Sequence, residues 1–227
     1  GTSGGDTTPA INAYSLWDLK WRPSCPDPRG MALIGNRFWC DIYLCNTAPE
    51  TNGTSGYNLT IADGSSPPKI PTIFGGNGST AYSEFNWWEA AEVMSAAGKS
   101  LLSYQDFAAA MYGSTEAASF GSDPGTTTLR AAYTSKWGIM LATGNMWIWG
   151  SDFSYWPGSG TADYKAQTGG RGSLYLANDT GVVAALFGGY WSAGALAGSR
   201  ASYWYDFPWS SDSNVGARGR CDHLRLA

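Results

Sequence analysis

Residues 185–226 read ALFGGYWSAGALAGSRASYWYDFPWSSDSNVGARGRCDHLRL, and between Phe187 and Arg220 there is no Lys, Glu, Gln, Met, Cys or His. Tyr, Trp, Ser, Gly, Ala and Asn crowd in instead, the mixture of rigid aromatic anchors and small adaptable polar groups that binding surfaces use. Nucleophiles and general bases are almost missing, so the segment has little with which to do covalent chemistry.

Its spacing adds a direction. Tyr190, Ser192, Gly194 and Leu196 alternate with Trp191, Ala193, Ala195 and Ala197; Tyr203 and Tyr205 flank Trp204; Ser210, Asp212 and Asn214 again sit two apart. Period two predicts extended chain with two distinguishable faces. On that pattern Trp191 and Trp204 point inward and the Tyr, Ser and Asp set points out, making a display surface supported by the rest of the chain. Gly188, Gly189, Gly198, Gly216 and Gly219 supply the turns between the pieces. Arg200 and Arg218 each follow a glycine by two residues, where a guanidinium with five fixed donors bridges turn carbonyls and carboxylates, a structural task before a ligand contact.

The support reads as short elements. Ala13–Trp21 and Phe38–Leu44 alternate as strands, the second with Phe38, Cys40, Ile42 and Leu44 on one face. Residues 46–82 are rich in Gly, Ser, Pro, Asn and Thr and read as irregular surface chain with one short strand, Tyr57–Ile61. Asn86 with Glu89 three residues on is a capping-box signature that opens a helix closed by Gly98, its apolar stripe being Trp87, Ala90, Ala91, Met94 and Ala97. Ser103 with Asp106 opens a second helix closed at Gly113, with Phe107, Ala110 and Met111 inward. Trp137–Trp149 reads as a strand pair turning at Thr143-Gly144-Asn145, with Ile139, Leu141, Met146, Trp147 and Trp149 buried. Residues 151–168 read as irregular and Ser173–Leu176 as a strand. Two short helices with several short strands and long structured loops define an α+β fold.

Composition removes several function classes. The chain has 227 residues and a net charge of −4, with aromatic residues at 15% and charged residues at only 14%. Without a cluster of Lys or Arg, neither a nucleic acid nor an anionic membrane is expected as partner. No run approaches the roughly eighteen apolar residues of a membrane span, and GTSGGDTTP at residues 1–9 reads as a linker ahead of one domain over residues 10–227, not as a secretion signal. Cys25, Cys40, Cys45 and Cys221 form no CxxC pair and have no histidine cluster to join, so no zinc site is expected. Buried thiols acting as small hydrophobes are preferred over a disulfide, and Cys40 and Cys45, five apart in a strand-like run, are poorly placed to bridge.

GG-x-W at Gly188–Trp191, GSRA at Gly198–Ala201 and GARG-x-CDHL at Gly216–Leu224 resemble the framework of the variable proteins of diversity-generating retroelements. So do SLWDLKWRP, DPRGM, FWCDIYL, YNLTIADGSSPPK, FGGNGSTAYS, YTSKWG and TGGRGS, which spread the resemblance from about Ala10 to the C-terminus. The resemblance implies a C-type lectin fold of the formylglycine-generating-enzyme type. It also implies a receptor-binding display protein at a virion tail-fibre tip or cell exterior, recognising a host-surface protein or other macromolecule, and it is compatible with a homotrimer. Aligned on these anchors, the positions that would vary are Tyr190, Ser192, Ala193, Gly194, Leu196, Tyr203, Tyr205, Asp206, Ser210, Asp212, Asn214 and Val215. Adenine mutagenesis of the AAY codons used by the family cannot produce Trp, Lys, Glu, Gln or Met, and all twelve positions obey that rule.

Two alternatives compete. A formylglycine-generating-type enzyme needs a pair of active-site cysteines that nothing here matches, and the sole histidine, His223, adjoins Cys221 and Asp222 in sequence with no orienting partner, so a structural histidine is expected. Glu84, Glu89, Glu92 and Asp106 spread around the helix surfaces without forming a carboxylate pair. A calcium-dependent lectin needs six to eight convergent oxygens, and Asp206 with Asp212 are too few. No catalytic residue, metal ligand or cofactor is therefore expected.

Overall fold

A computed structural model describes residues 25, 27–156, 162–166, 173–177 and 181–223. The strand expected over Ala13–Trp21 and the linker at residues 1–9 lie outside the described residues.

Strands β1 (Met31–Ile34) and β2 (Phe38–Asp41) form an antiparallel hairpin. All four β2 residues are buried, so the expected one-sided strand is instead packed on both faces, and it ends at Asp41. A helical turn, α1 (Pro49–Asn52), escapes the sequence pattern because four residues carry no periodicity. The Tyr57–Ile61 strand is replaced by isolated bridges, Asn46 with Ile61 and Thr60 with Thr126.

Helix α2 (Trp87–Ala96) starts where its cap predicts. The Asn86 side chain accepts from the Trp88 and Glu89 amides while the Glu89 carboxylate accepts from the Asn86 amide at 2.8 Å, satisfying helix-end donors reciprocally. Glu89 is consequently buried, not on the surface, and Val93 joins Ala90 and Met94 on the inward face. After β3 (Ser100–Leu101), Ser103 caps α3 (Tyr104–Ala110), and Phe107, Ala110 and Met111 are all buried as the spacing predicts.

The expected strand pair at Trp137–Trp149 is a single strand. Residues 137–146 are a buried loop, and β4 (Trp147–Trp156) continues through chain expected to be irregular. The burial forecast holds for Ile139, Leu141, Met146 and Trp149, whereas Trp147 is half-buried. Strands β5 (Ala162–Ala166) and β6 (Ser173–Ala177) pair antiparallel, and β7 (Gly181–Phe187) returns alongside β4. The chain closes with β8 (Ser202–Tyr203), β9 (Val215–Gly216) and β10 (Gly219–Asp222).

Two four-stranded sheets result, ordered β1-β2-β10-β3 and β8-β7-β4-β9, the second mixed because β9 runs parallel to β4. Between and around them, Phe38, Leu44, Leu102, Phe107, Ile148 and Phe187 make one apolar cluster, and Phe85, Met94, Trp149, Leu186 and Val215 another. The four cysteines are buried free thiols, and burial pushes Cys40 up to about 12.

Arg218 joins the two ends of the chain. Fully buried, it donates from Nη1 to the Asp41 and Ile42 carbonyls (2.9 and 2.7 Å) and from Nη2 to those of Met140 and Leu141 (2.7 and 3.3 Å). Those bonds replace the β-ladder that residues 140–141 would otherwise require, which is why a strand-like sequence there stays a loop. Next to it, Asp41 accepts from Lys99 Nζ (2.5 Å), Thr54 Oγ1 (2.7 Å) and the Gly219 amide (3.1 Å). Burial lowers the Arg218 pKa and raises that of Asp41.

Candidate functional site

Strand β7 delivers the chain to Gly188 and Gly189 with φ of 95° and 83°. A Cβ on Gly188 would lie 2.9 Å from the Phe107 ring and one on Gly189 2.7 Å from the Ala197 Cβ, so only glycine fits this exit from the sheet. The next residues are not the extended chain their alternation predicts. They form a turn ending in a 3₁₀ segment, Gly194–Leu196, with Gly194 at φ 57°. The cause lies far away in sequence: the Gly194 amide donates to Ser119 Oγ at 2.9 Å, the Gly121 amide to the Trp191 carbonyl at 2.8 Å, and Glu116 accepts from the Ser199 amide and hydroxyl. In this turn Ser192, Gly194 and Leu196 are exposed, Leu196 to 80%, while Tyr190 and Ala193 are half-buried. Trp191 packs against the core as expected, with the Tyr190 ring edge-on at 5.6 Å.

The chain returns as β8, hydrogen-bonded to β7 on the outer edge of the second sheet. Tyr203, Trp204 and Tyr205 are exposed by 40, 37 and 55%. The inward placement expected for Trp204 is met only in part: its ring lies edge-on to the buried Phe187 ring with centroids 6.3 Å apart, yet the residue, just beyond the end of β8, stays 37% exposed. Tyr203 lies 5.8 Å from the Trp147 ring and 6.2 Å from Tyr205. Trp204 is the residue whose exposure the alternation missed; three consecutive aromatics running off the end of so short a strand were the signal available.

Beyond β8, the Asp206 carbonyl accepts from the Ala184 amide at 2.9 Å, holding its half-buried side chain beside the tyrosines. Burial and the nearby Asp212 carboxylate raise the Asp206 pKa, and burial, Asp206 and Tyr205 together raise that of Tyr203. Asp212 is exposed, and Ser210 and Asn214 are half-exposed. The support of this stretch comes from its neighbours: the Pro208 carbonyl accepts from Trp87 N, Ser211 Oγ from Phe85 N, and the Asp212 carbonyl from Gly64 N.

Two further expectations fail. Val215 is 2% exposed, because β9 is locked between β4 and the Phe85–Trp149 cluster. Arg200 is exposed, so of the two arginines expected to be structural only Arg218 is buried. His223 sits edge-on to Trp39 with ring centroids 6.0 Å apart, a packing position. Among the described residues no three of His, Cys, Asp and Glu gather as a metal site, and no helix is long and apolar enough to cross a membrane. A polar cleft lined by Arg29, Glu50, Thr54 and Lys99 contains none of the expected positions.

The α+β scaffold fixes Arg218 and Asp41 with internal partners and leaves Tyr203, Trp204 and Tyr205 exposed in succession. No family model matches the sequence. Over 233 aligned residues the chain is 49% identical to the tail fiber receptor-binding protein of Bordetella phage BPP-1, covering 99% of this chain and 60% of that protein. Among solved structures, the Major Tropism Determinant I1 variant matches with a TM-score of 0.85 at 50% identity, over 95% of this chain and 58% of that one. The M1 variant matches with a TM-score of 0.84 at 50% identity, over 96% and 58%. The chain belongs to the family of the Major Tropism Determinant variants and has their C-type lectin-type fold. It spans about 60% of the length of the curated relative.

Proposed function

We propose that residues 10–227 are the receptor-binding domain of a phage tail-fibre protein, working at the virion surface by display and not by catalysis. Its ligand positions are Tyr190, Ser192, Ala193, Gly194, Leu196, Tyr203, Tyr205, Asp206, Ser210, Asp212 and Asn214, in a segment of about 185–226 that a retroelement diversifies, with Trp204 added as a fixed aromatic. Val215, buried in the core, is left out of these positions. The single observation that carries this reading is the exposed Tyr203-Trp204-Tyr205 row and Leu196 on a scaffold whose arginine, carboxylates and strand ends are otherwise engaged. Tyr and Trp supply large contact area at small entropic cost, and a homotrimer would multiply weak contacts through avidity.

The test is adsorption of the chain to host cells. Tyr203→Ala and Tyr205→Ala should each weaken it by about 2 kcal/mol or more, the range of a central aromatic anchor, and chelators should leave it intact. Adsorption unaffected by both substitutions rejects the reading. Sequencing the encoding DNA tests diversification separately: a template repeat must differ from the variable codons at adenines.

A further inference from the structure

We propose that the surface this chain presents is built for a cationic side chain, Lys or Arg, on a protein receptor. The proposal rests on the display reading and adds the chemistry of its ligand.

Its first support is the charge around the aromatic row. Asp206 is held by its backbone beside Tyr203 and Tyr205, and among the residues whose side chains are described nothing donates to its carboxylate. The one charged group it senses is a second carboxylate, Asp212, and its own negative charge reaches the Tyr203 hydroxyl. The cations of residues 187–220 do not answer it. Arg218 is enclosed by four carbonyls, and Arg220 is paired with Asp106 (3.2 Å) and Asp222 (2.5 Å), which leaves Arg200 as the exposed cation of the segment, in the turn where the Ala201 amide bonds to the Gly198 carbonyl.

The second support is the rings themselves. Tyr203, Trp204 and Tyr205 are exposed in succession, and a cation set over such faces is attracted by their quadrupoles, most strongly by Trp. A receptor cation seated there would be attracted by the Asp206 and Asp212 carboxylates as well as by the rings. A receptor acid or phosphate would meet the same pair and be repelled. Calcium is a poorer fit, since two carboxylates supply too few of the six to eight oxygens it takes.

The experiment is an NMR titration of the intact chain with the N-acetyl amides of arginine and lysine, with those of norleucine and glutamate as neutral and acidic controls. Saturable shifts at the Trp204 indole and the Tyr203 and Tyr205 amides are expected with the two cationic probes only, weakening on added salt. Asp206→Asn with Asp212→Asn should weaken the response on the order of tenfold, with the rest of the spectrum confirming the fold, whereas Arg200→Ala should leave it equal or stronger. Equal response to norleucine or glutamate amide, the same shifts from calcium alone, or a response that survives the double Asn variant overturns the proposal. If host-cell adsorption depends on Tyr203 and Tyr205 while the cationic probes give no saturable shift, the display reading stands and this proposal falls. If neither adsorption nor titration responds, both fall.

Discussion

Arg218 and Asp206 stand twelve residues apart in one short segment and illustrate opposite treatments of charge. The guanidinium is fully buried and meets four carbonyl oxygens. The carboxylate is half-exposed and faces another carboxylate. A charge taken out of water must be compensated by fixed partners, and the scaffold does so for Arg218 and for Asp41 with Lys99 and Thr54. The display segment leaves that compensation undone. What separates Arg218 and Asp41 from Asp206 is therefore the presence of fixed partners for a charge more than hydrophobicity, since Trp204 and Leu196 are exposed as well.

Replacing Arg218 should break the contrast most severely. Arg218→Met removes the guanidinium donors from four buried carbonyls and should lower stability by about 3 to 5 kcal/mol, read as the shift of a urea unfolding midpoint. Lys should rescue little of it, because a point charge cannot span the fork. A loss under about 1 kcal/mol would mean that water or backbone movement satisfies those carbonyls without the guanidinium.

Two tryptophans sharpen the boundary. Trp149→Ala, in the core, should cost about 3 to 5 kcal/mol, while Trp204→Ala should change stability by only about 0.5 kcal/mol and register in adsorption instead. Equal melting shifts for the pair would show that the β8 edge is part of the core.

The smallest effect has a sign that depends on pH. The folded-state pKa of Asp206 is raised, so its ionised form is disfavoured in the native state relative to the unfolded chain. That penalty is fully present above the folded pKa and disappears as pH falls through it to the ordinary carboxylate range. Asp206→Asn should accordingly melt slightly higher than the parent at neutral pH, with the difference vanishing in acid. A stability loss at neutral pH would reveal an ionic partner for the carboxylate.

The parts legible in the sequence are those whose causes are local. The Asn86 and Ser103 caps, their closing glycines and the inward faces of Phe107 and Met111 all depend on residues within a turn or two, and each stands where the pattern places it. The failures share a different origin. Residues 137–146 alternate like a strand yet stay a loop, because their carbonyls bond to Arg218, far along the chain. The turn at Tyr190–Ala197 is set by Ser119 and Glu116, and Val215 is buried through its parallel pairing with Trp147. Alternation along a segment reports which side chains can share a face, but not whether a neighbour covers it, which is how Trp204 comes to be exposed; Val215 entered through alignment with the family framework, which says nothing of its burial.

The sheet order β1-β2-β10-β3 carries a consequence for synthesis. Strand β10 is made after the display segment, yet it fills the gap between β2 and β3, and Arg218 just before it closes the cage on Asp41, Ile42 and Met140. A ribosome that meets a stop codon or a shifted frame anywhere in residues 190–215 therefore releases a chain lacking the central strand of its first sheet, with the edges of β2 and β3 unpaired. Completion of the first sheet thus depends on translation in frame through residues 190–215.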